Sequence, residues 1–467
     1  MKKTDLNYTF CLITLLLFLA IFGFSIFSDG MFFDGIFYAA VANNYAHHIG
    51  TFWAMQYSPA FPQGFHDQPP LAIFLQAICF RLFGDSIYVE RFYCFGFALL
   101  NMYLIKKTWA LIADKYHDLF WLPVLIWIIT PLTAWTFQNN LMEVTMSAFD
   151  LLAIYFVIKG SKNNSLLLLL LGGLFTFLAG FTKGFQGLFP IAAPFIYWII
   201  YRHTDFKKWL IQFAAVLLIP VLAITLLYIN PASHLSLKLY FEHRLTGTFH
   251  HLGDTTTSHF FLLYKLVLYL LIPVGLIFIV RFLTRNNNSE NVMDRKPIYF
   301  FILIGLSASL PLMVTLEQRV FYLTTSIPYF AIALALIALP SIEHFIMKMS
   351  NINRKVINKV LITFILILII LIPLNSSKPK REGDLIADLS VIKKTIPENT
   401  AVSIPSVLND HWAYHAYFMR YCRISLDDKH RQKYFISERE MNAPADSCYQ
   451  NMSLPLKKFK LYECKNY

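Results

Sequence analysis

Charge is what this sequence has least of. Only 15% of its 467 residues are Asp, Glu, Lys or Arg, against 57% hydrophobic, too few to cover the surface of a water-soluble protein of this length. Cysteine is scarce and unpatterned, six residues with no CxxC pair and no zinc-ligand spacing. Cys11, Cys79 and Cys94 lie in apolar stretches and Cys422, Cys448 and Cys464 lie in the tail, so one tail disulfide would leave an odd thiol. There is no Walker A loop, no GxGxxG after a strand, no GxSxG elbow and no HExxH. A nucleotide, and with it ATP or a sugar nucleotide as co-substrate, is unsupported. No internal repeat or low-complexity linker divides the chain.

What is there is oil. Nearly uncharged runs of about 18 to 20 residues recur along the sequence, the length a helix needs to cross about 30 Å of hydrocarbon. Eleven spans are expected at roughly 8–28, 86–105, 119–136, 141–158, 165–180, 185–201, 209–229, 260–280, 298–315, 321–340 and 357–374. Lys2-Lys3 followed by the first long run, with no A-x-A-like site after it, reads as an uncleaved signal anchor. Pro69 to Phe83 is apolar but short and begins with two prolines, which suits a helix lying at the interface.

The net charge of +12 forms no basic face or arm, which argues against nucleic acid. With the N-terminus inside, the inner loops hold Lys106, Lys107, Lys115, Lys159, Lys162, Arg202, Lys207, Lys208, Arg281, Arg285, Arg295, Lys296 and the cluster from Lys348 to Lys359. The outer loops before the tail hold only Arg81, Lys183, Lys238, Arg244 and Arg319, so the positive-inside rule is met loop after loop. The expected organisation is a transmembrane domain, residues 1–374, with long outer loops at 29–85 and 230–259, and a small outer α/β domain, residues 375–467. In that tail Leu385 to Thr395 reads as a helix, and Ala401 to Ile404, Tyr421 to Ser425, Lys433 to Ile436 and Phe459 to Cys464 as strands.

This topology gathers Asp34, Asp67, Glu143, Lys183, Glu242, His243, Arg244 and Arg319 at the outer mouths of spans. Ionisable groups at membrane depth are costly and are functional candidates. Each has a plainer reading. Asp34, Asp67 and Glu143 stand where helices start and would serve as caps or first-turn acids. Lys183 and Arg319 run against the charge rule, which favours binding of phosphate oxygens over simple anchoring. His243 beside Glu242 is either a metal ligand or an ordinary hydrogen-bonded histidine.

Five motifs then occur in a recognisable order: Asp34-Gly-Ile-Phe-Tyr38; His66-Asp-Gln-Pro-Pro-Leu71 with Leu82-Phe-Gly84 and Arg91 downstream; Thr182-Lys-Gly184; Phe241-Glu-His-Arg244; and Arg319-Val-Phe-Tyr-Leu323. Over roughly residues 8 to 340 the chain resembles the bacterial branch of the protein O-mannosyltransferase superfamily, which includes the lipid A aminoarabinose transferases and has the type C glycosyltransferase fold. The resemblance implies a polytopic helical membrane enzyme of a bacterial inner membrane, its N-terminus cytoplasmic and its tail periplasmic. It implies a polyprenyl-phosphate sugar donor, inversion at the anomeric carbon, and a lipid, glycan or protein acceptor. It assigns Asp34 as general base, Glu143 as a second catalytic acid, and Lys183, Arg319 and Arg244 to the donor phosphate. Glu242, Tyr38 and Tyr322 would lie near the site, and Asp67 with His243 would hold a divalent metal that neutralises the departing phosphate. This chain has Gly35, Gln68 and Glu143 where members often have Glu, Lys and Asp, so sugar and acceptor do not transfer with the family. The alternatives are a lipid-linked sugar transporter or flippase, which calls for paired half-repeats, and a polysaccharide polymerase or ligase.

Overall fold

The structure, a computed structural model, describes residues 3–202, 204–247, 255–284, 294–349, 381–444 and 446–465, with a few single residues between 359 and 379. Among them, seven helical stretches are long and apolar enough to cross a membrane: Leu6–Gly23, Glu143–Asn163, Leu166–Tyr201, Phe206–Ile229, Phe261–Leu283, Lys296–Met313 and Ile327–Met347. In hydrocarbon every backbone polar group must be satisfied within its own segment, which is why apolar runs of this length become helices.

Three features refine the expected spans. Leu166–Tyr201 is not one straight helix, because Gly184 adopts φ +82°, a conformation that favours glycine. The next residues fold back until Gly187 meets the Ala179 backbone, a turn that separates the stretches expected at 165–180 and 185–201. The span expected at 119–136 is broken into Trp121–Ile129 and Pro131–Gln138, bent by 73°. Thr130 between them is extended, ψ 114°, as a residue before proline prefers. Val89–Ile112 has 24 residues, about 36 Å of helix, but Glu90, Arg91, Lys106 and Lys107 put it below the apolarity of the others. The last expected span, 357–374, and the expected boundary at 375 lie outside the continuously described residues.

The bundle has a centre and a rim. In the most apolar stretch of Glu143–Asn163, 72% of residues are buried inside the protein, against 11% in Phe261–Leu283. The first helix is therefore surrounded by protein, and the second presents its side chains outward.

Above one end of the bundle sit the helix Phe33–Ala46, a three-stranded antiparallel sheet β1 (Gly50–Thr51), β2 (Ala54–Ser58) and β3 (Phe61–Phe65), and the 13-residue apolar helix Leu71–Phe83. The C-terminal domain is a five-stranded sheet of β4 (Ala401–Ser403), β5 (Ser425–Asp427), β6 (Tyr434–Glu438), β7 (Tyr449–Asn451) and β8 (Phe459–Cys464), in the order β5-β4-β6-β8-β7. β4 runs parallel to both neighbours, and β6, β8 and β7 are antiparallel. Cys448 and Cys464 are bonded, with Cα atoms 4.8 Å apart, and Cys422 is the buried thiol left over. One strand expectation fails. Tyr421 and Cys422 end the helix Trp412–Cys422, Arg423 closes it with φ 54°, and the strand starts only at Ser425. Every residue from Tyr414 to Arg420 is buried, as is Cys422, so a helix enclosed on all sides by the fold overrides the strand propensity of single residues.

That helix bolts the domain down. Arg420 is buried and grips Glu90 with two hydrogen bonds, Nε to Oε1 at 3.0 Å and Nη2 to Oε2 at 2.7 Å. It also donates to the carbonyls of Asp85 and Ser86, and its guanidinium lies 4.9 Å over the Phe80 ring. Tyr417 donates to the Met31 carbonyl at 3.1 Å, and Tyr421 to Asp29. Met31, Ile36 and Val41 of the first loop share one apolar cluster with Leu385, Tyr417 and Phe418 of the tail.

Candidate active site

A polar-walled cavity of about 430 Å³ opens where these layers meet. It is lined by Asp34 and Tyr38 of Phe33–Ala46, by Tyr57 and Asp67 of the sheet region, by Lys183 at the hairpin turn, and by Glu317, Arg319 and Tyr322 before the span Ile327–Met349. The wall also includes Gln68, Phe321 and Trp412.

Asp34 and Glu143 stand in first turns and not at caps, and Asp67 falls ahead of the first turn of Leu71–Phe83. Phe32, Met142 and Pro70 occupy the cap positions of the three helices, and none of the helices has a side-chain cap. Asp34 is the second residue of its helix, in the first turn. That helix is set against the bundle by Asn139, whose Oδ1 accepts from the Phe32 amide at 2.6 Å, and by Asn140, whose amide donates to the Gly35 carbonyl at 2.9 Å. A side chain at position 35 would collide with the Asn139 carbonyl, 1.9 Å from where its Cβ would stand. This close approach is why glycine stands there in place of a glutamate.

Lys183 ends the helix Leu166–Lys183 and is only 7% exposed. Its ammonium is ion-paired to Glu143 and lies 4.9 Å from the Phe321 ring centre and 4.6 Å from that of Tyr322. The Tyr322 backbone is held in turn by Gln186, whose amide donates to its carbonyl at 2.6 Å. Glu143 is fully buried, does not line the cavity, and has one carboxylate oxygen with no hydrogen-bond partner. It reaches the cavity through Lys183, the partner of its other oxygen.

Asp67 accepts a hydrogen bond from Tyr57 at 3.0 Å. Glu242 points elsewhere: it is half exposed, 3.8 Å from Lys238 one helical turn back, and is not part of the cavity wall. The side chains of His243 and Arg244 lie outside the described residues. Among the described residues no three His, Cys, Asp or Glu side chains are placed to share a metal ion, so the described donors do not by themselves make the expected metal site, and no chemical step below depends on one.

Tyr57, Glu317, Phe321, Gln186 and Trp412 were not singled out from the sequence. Glu317 and Phe321 flank the Arg319 motif and had a signal. Tyr57 and Trp412 had none, because only the folding of β2 and the docking of the tail helix bring them in. A second and larger cavity, about 910 Å³ and almost wholly apolar, runs between Leu71–Phe83 and Val89–Ile112, with Leu75, Ile78, Phe92 and Phe97 on its walls.

The comparisons agree with this architecture. A sequence profile of the dolichyl-phosphate-mannose-protein mannosyltransferase family matches residues 67–229. No protein of curated function matches the sequence. The structure is similar to ArnT from Cupriavidus metallidurans, solved bound to undecaprenyl phosphate, with a TM-score of 0.65 and 12% identity over 98% of both chains. It is also similar to an oligosaccharyltransferase from Archaeoglobus fulgidus in its apo form, with a TM-score of 0.51 and 12% identity over 92% of this chain and 69% of that one. The fold is the type C glycosyltransferase fold, in a multi-span membrane protein with a C-terminal sheet domain.

Proposed function

We propose that the protein is an inverting glycosyltransferase that moves a sugar from a polyprenyl-phosphate donor to a glycolipid, glycan or protein acceptor at the outer face of a bacterial inner membrane. The observation that carries the reading is one cavity that joins a carboxylate, Asp34, to two cations, Lys183 and Arg319, from segments far apart in the sequence.

The chemistry asks for little more. The acceptor oxygen or nitrogen attacks the anomeric carbon on the face opposite the phosphate, and the carbon–oxygen bond to phosphate breaks with its electron pair leaving as polyprenyl phosphate. Asp34 takes the acceptor's proton as general base. Lys183 and Arg319 neutralise the charge that develops on the leaving phosphate, where preorganised donors in a water-poor site count most. Glu143 holds the ammonium in place. The apolar cavity beside Leu71–Phe83 suits an isoprenoid or acyl chain, which keeps the lipid in oil while its head group enters the polar cavity. The distribution of positive loops supports an N-terminus in the cytoplasm and a tail domain outside. The disulfide between Cys448 and Cys464 suits an oxidising compartment.

The test is transfer by the purified protein from a labelled polyprenyl-phosphate sugar to a membrane extract. Transfer by wild type and none by Asp34→Asn supports the reading, and equal transfer by both refutes the role of Asp34. We keep a divalent ion at Asp67 as an auxiliary proposal. Transfer that survives both a strong chelator and Asp67→Ala removes it.

A further inference from the structure

The tail domain does more than cover the site, because one of its residues is part of the cavity wall. Trp412 opens the helix Trp412–Cys422 and remains 43% exposed, while Tyr414, Tyr417 and Phe418 behind it are buried. Its ring centre lies 5.5 Å from Tyr57 and 5.8 Å from Phe61, and His415 packs edge-on to Phe61 at 5.0 Å. Tyr57 in turn donates to Asp67. The result is an aromatic floor with a carboxylate and a phenol hydroxyl at its edge.

Nothing in the phosphate chemistry needs this floor. The cations come from the membrane bundle, and the rings that flank Lys183 are Phe321 and Tyr322. Trp412 packs instead on the first-loop sheet and is contributed by the domain that faces away from the bilayer. An exposed tryptophan held rigid by a buried Arg420–Glu90 pair nine residues into one helix turns a large apolar face to a ligand at little cost in side-chain entropy. A pyranose ring has the matching surface, a flat face of C–H groups rimmed by hydroxyls that a carboxylate and a tyrosine can bond.

We propose that Trp412, backed by Phe61 and joined by Tyr57, is the acceptor subsite, and that it binds a sugar ring, so that the acceptor is a glycan or glycolipid. This rests on the transferase reading above and names the substrate class on its acceptor side. Trp412 is then a specificity-determining residue that touches substrate without taking part in bond making.

The experiment uses the full-length protein and a labelled polyprenyl-phosphate sugar, with two acceptor probes: a bacterial membrane glycolipid extract and a peptide digest of secreted proteins. Wild type is expected to label the glycolipids. Trp412→Ala is expected to raise the amount of glycolipid needed for half-maximal rate by about tenfold, about 1.4 kcal/mol of binding, with a much smaller change in half-saturation by donor. Trp412→Phe should recover most of the loss, and thermal unfolding of all three proteins controls for folding. An unchanged acceptor half-saturation in Trp412→Ala overturns the subsite. So does a rise in donor half-saturation of the same size, which would put Trp412 on the donor sugar, and so does labelling of peptides in place of glycolipids. Failure of wild type to transfer from the donor to either probe overturns the transferase reading itself, a result distinct from a failure of the subsite.

Discussion

Two buried ion pairs in this molecule look alike in a contact list and differ in what they leave over. Arg420 and Glu90 meet with two hydrogen bonds, and two more of the guanidinium's five donors are taken by the Asp85 and Ser86 carbonyls. Lys183 and Glu143 are as deeply buried, yet the carboxylate keeps one oxygen without a partner and the ammonium lines a cavity among aromatic rings. The first pair is closed and holds two domains together. The second is open on its cation side, because the Lys183 ammonium lines the cavity while Glu143 stays behind it, outside the wall. A buried pair that satisfies itself is structural, and one that leaves a charge pointing at a cavity is poised for a ligand.

The comparison can be broken at several strengths. The largest effect is expected from Asp34→Asn, which removes the base beside the open pair: transfer should fall by about 10² to 10⁴, with thermal unfolding unchanged. Lys183→Met should lower kcat by about 10² to 10³, and a rate near that of wild type would show that the open pair is not catalytic. Arg420→Met breaks the closed pair and strands Glu90, which should cost about 3–5 kcal/mol of stability. A denaturant midpoint like that of wild type would show that the tail is held by its apolar contacts alone.

The smallest effect sharpens the comparison through pH. Burial lowers the pKa of His415 below its usual value, so the unfolded domain binds this proton more tightly than the folded one. The stability His415 contributes is complete above about pH 6.5 and is lost as pH falls through its depressed folded value. The tail domain should therefore unfold more readily at pH 5 than at pH 7, and His415→Gln should flatten that dependence. Burial alone would raise the pKa of Asp85, but hydrogen bonds from His47 and Asn43, with the charges of His47 and Arg423, hold it below the usual carboxylate range. Its contribution lasts into more acid solution and fades only as pH falls through that lowered value, so the part of the loss between pH 7 and pH 5 that disappears in His415→Gln belongs to His415 and not to Asp85.

Much of the membrane domain was legible because oil reads sequence one residue at a time. Nine of the first ten expected spans correspond to described helical segments, and the tenth, 119–136, differs in being broken ahead of Pro131. Helices such as Phe206–Ile229 face outward along their length, so local composition decides them. The tail was less legible. Tyr421 to Ser425 reads as a strand when only its β-prone residues are counted, whereas Tyr421 and Cys422 end a helix whose residues from Tyr414 to Arg420 are all buried. The site divides in the same way. Asp34, Asp67, Lys183 and Arg319 carry motifs and reach the cavity. Glu143 stands outside the motifs and stays behind Lys183, Glu242 carries one and turns away to Lys238, and Trp412 carries none and is present.

By itself the sequence determined that the chain lives in a bilayer and roughly where most of its spans lie. Each follows from the transfer of single side chains between water and hydrocarbon, a local and nearly additive free energy. Only the tertiary structure decided which polar groups meet, which of two buried pairs stays open, and that a tail helix lends its tryptophan to the cavity. Those outcomes depend on contacts between residues hundreds of positions apart, and no local free energy encodes a distance of that kind.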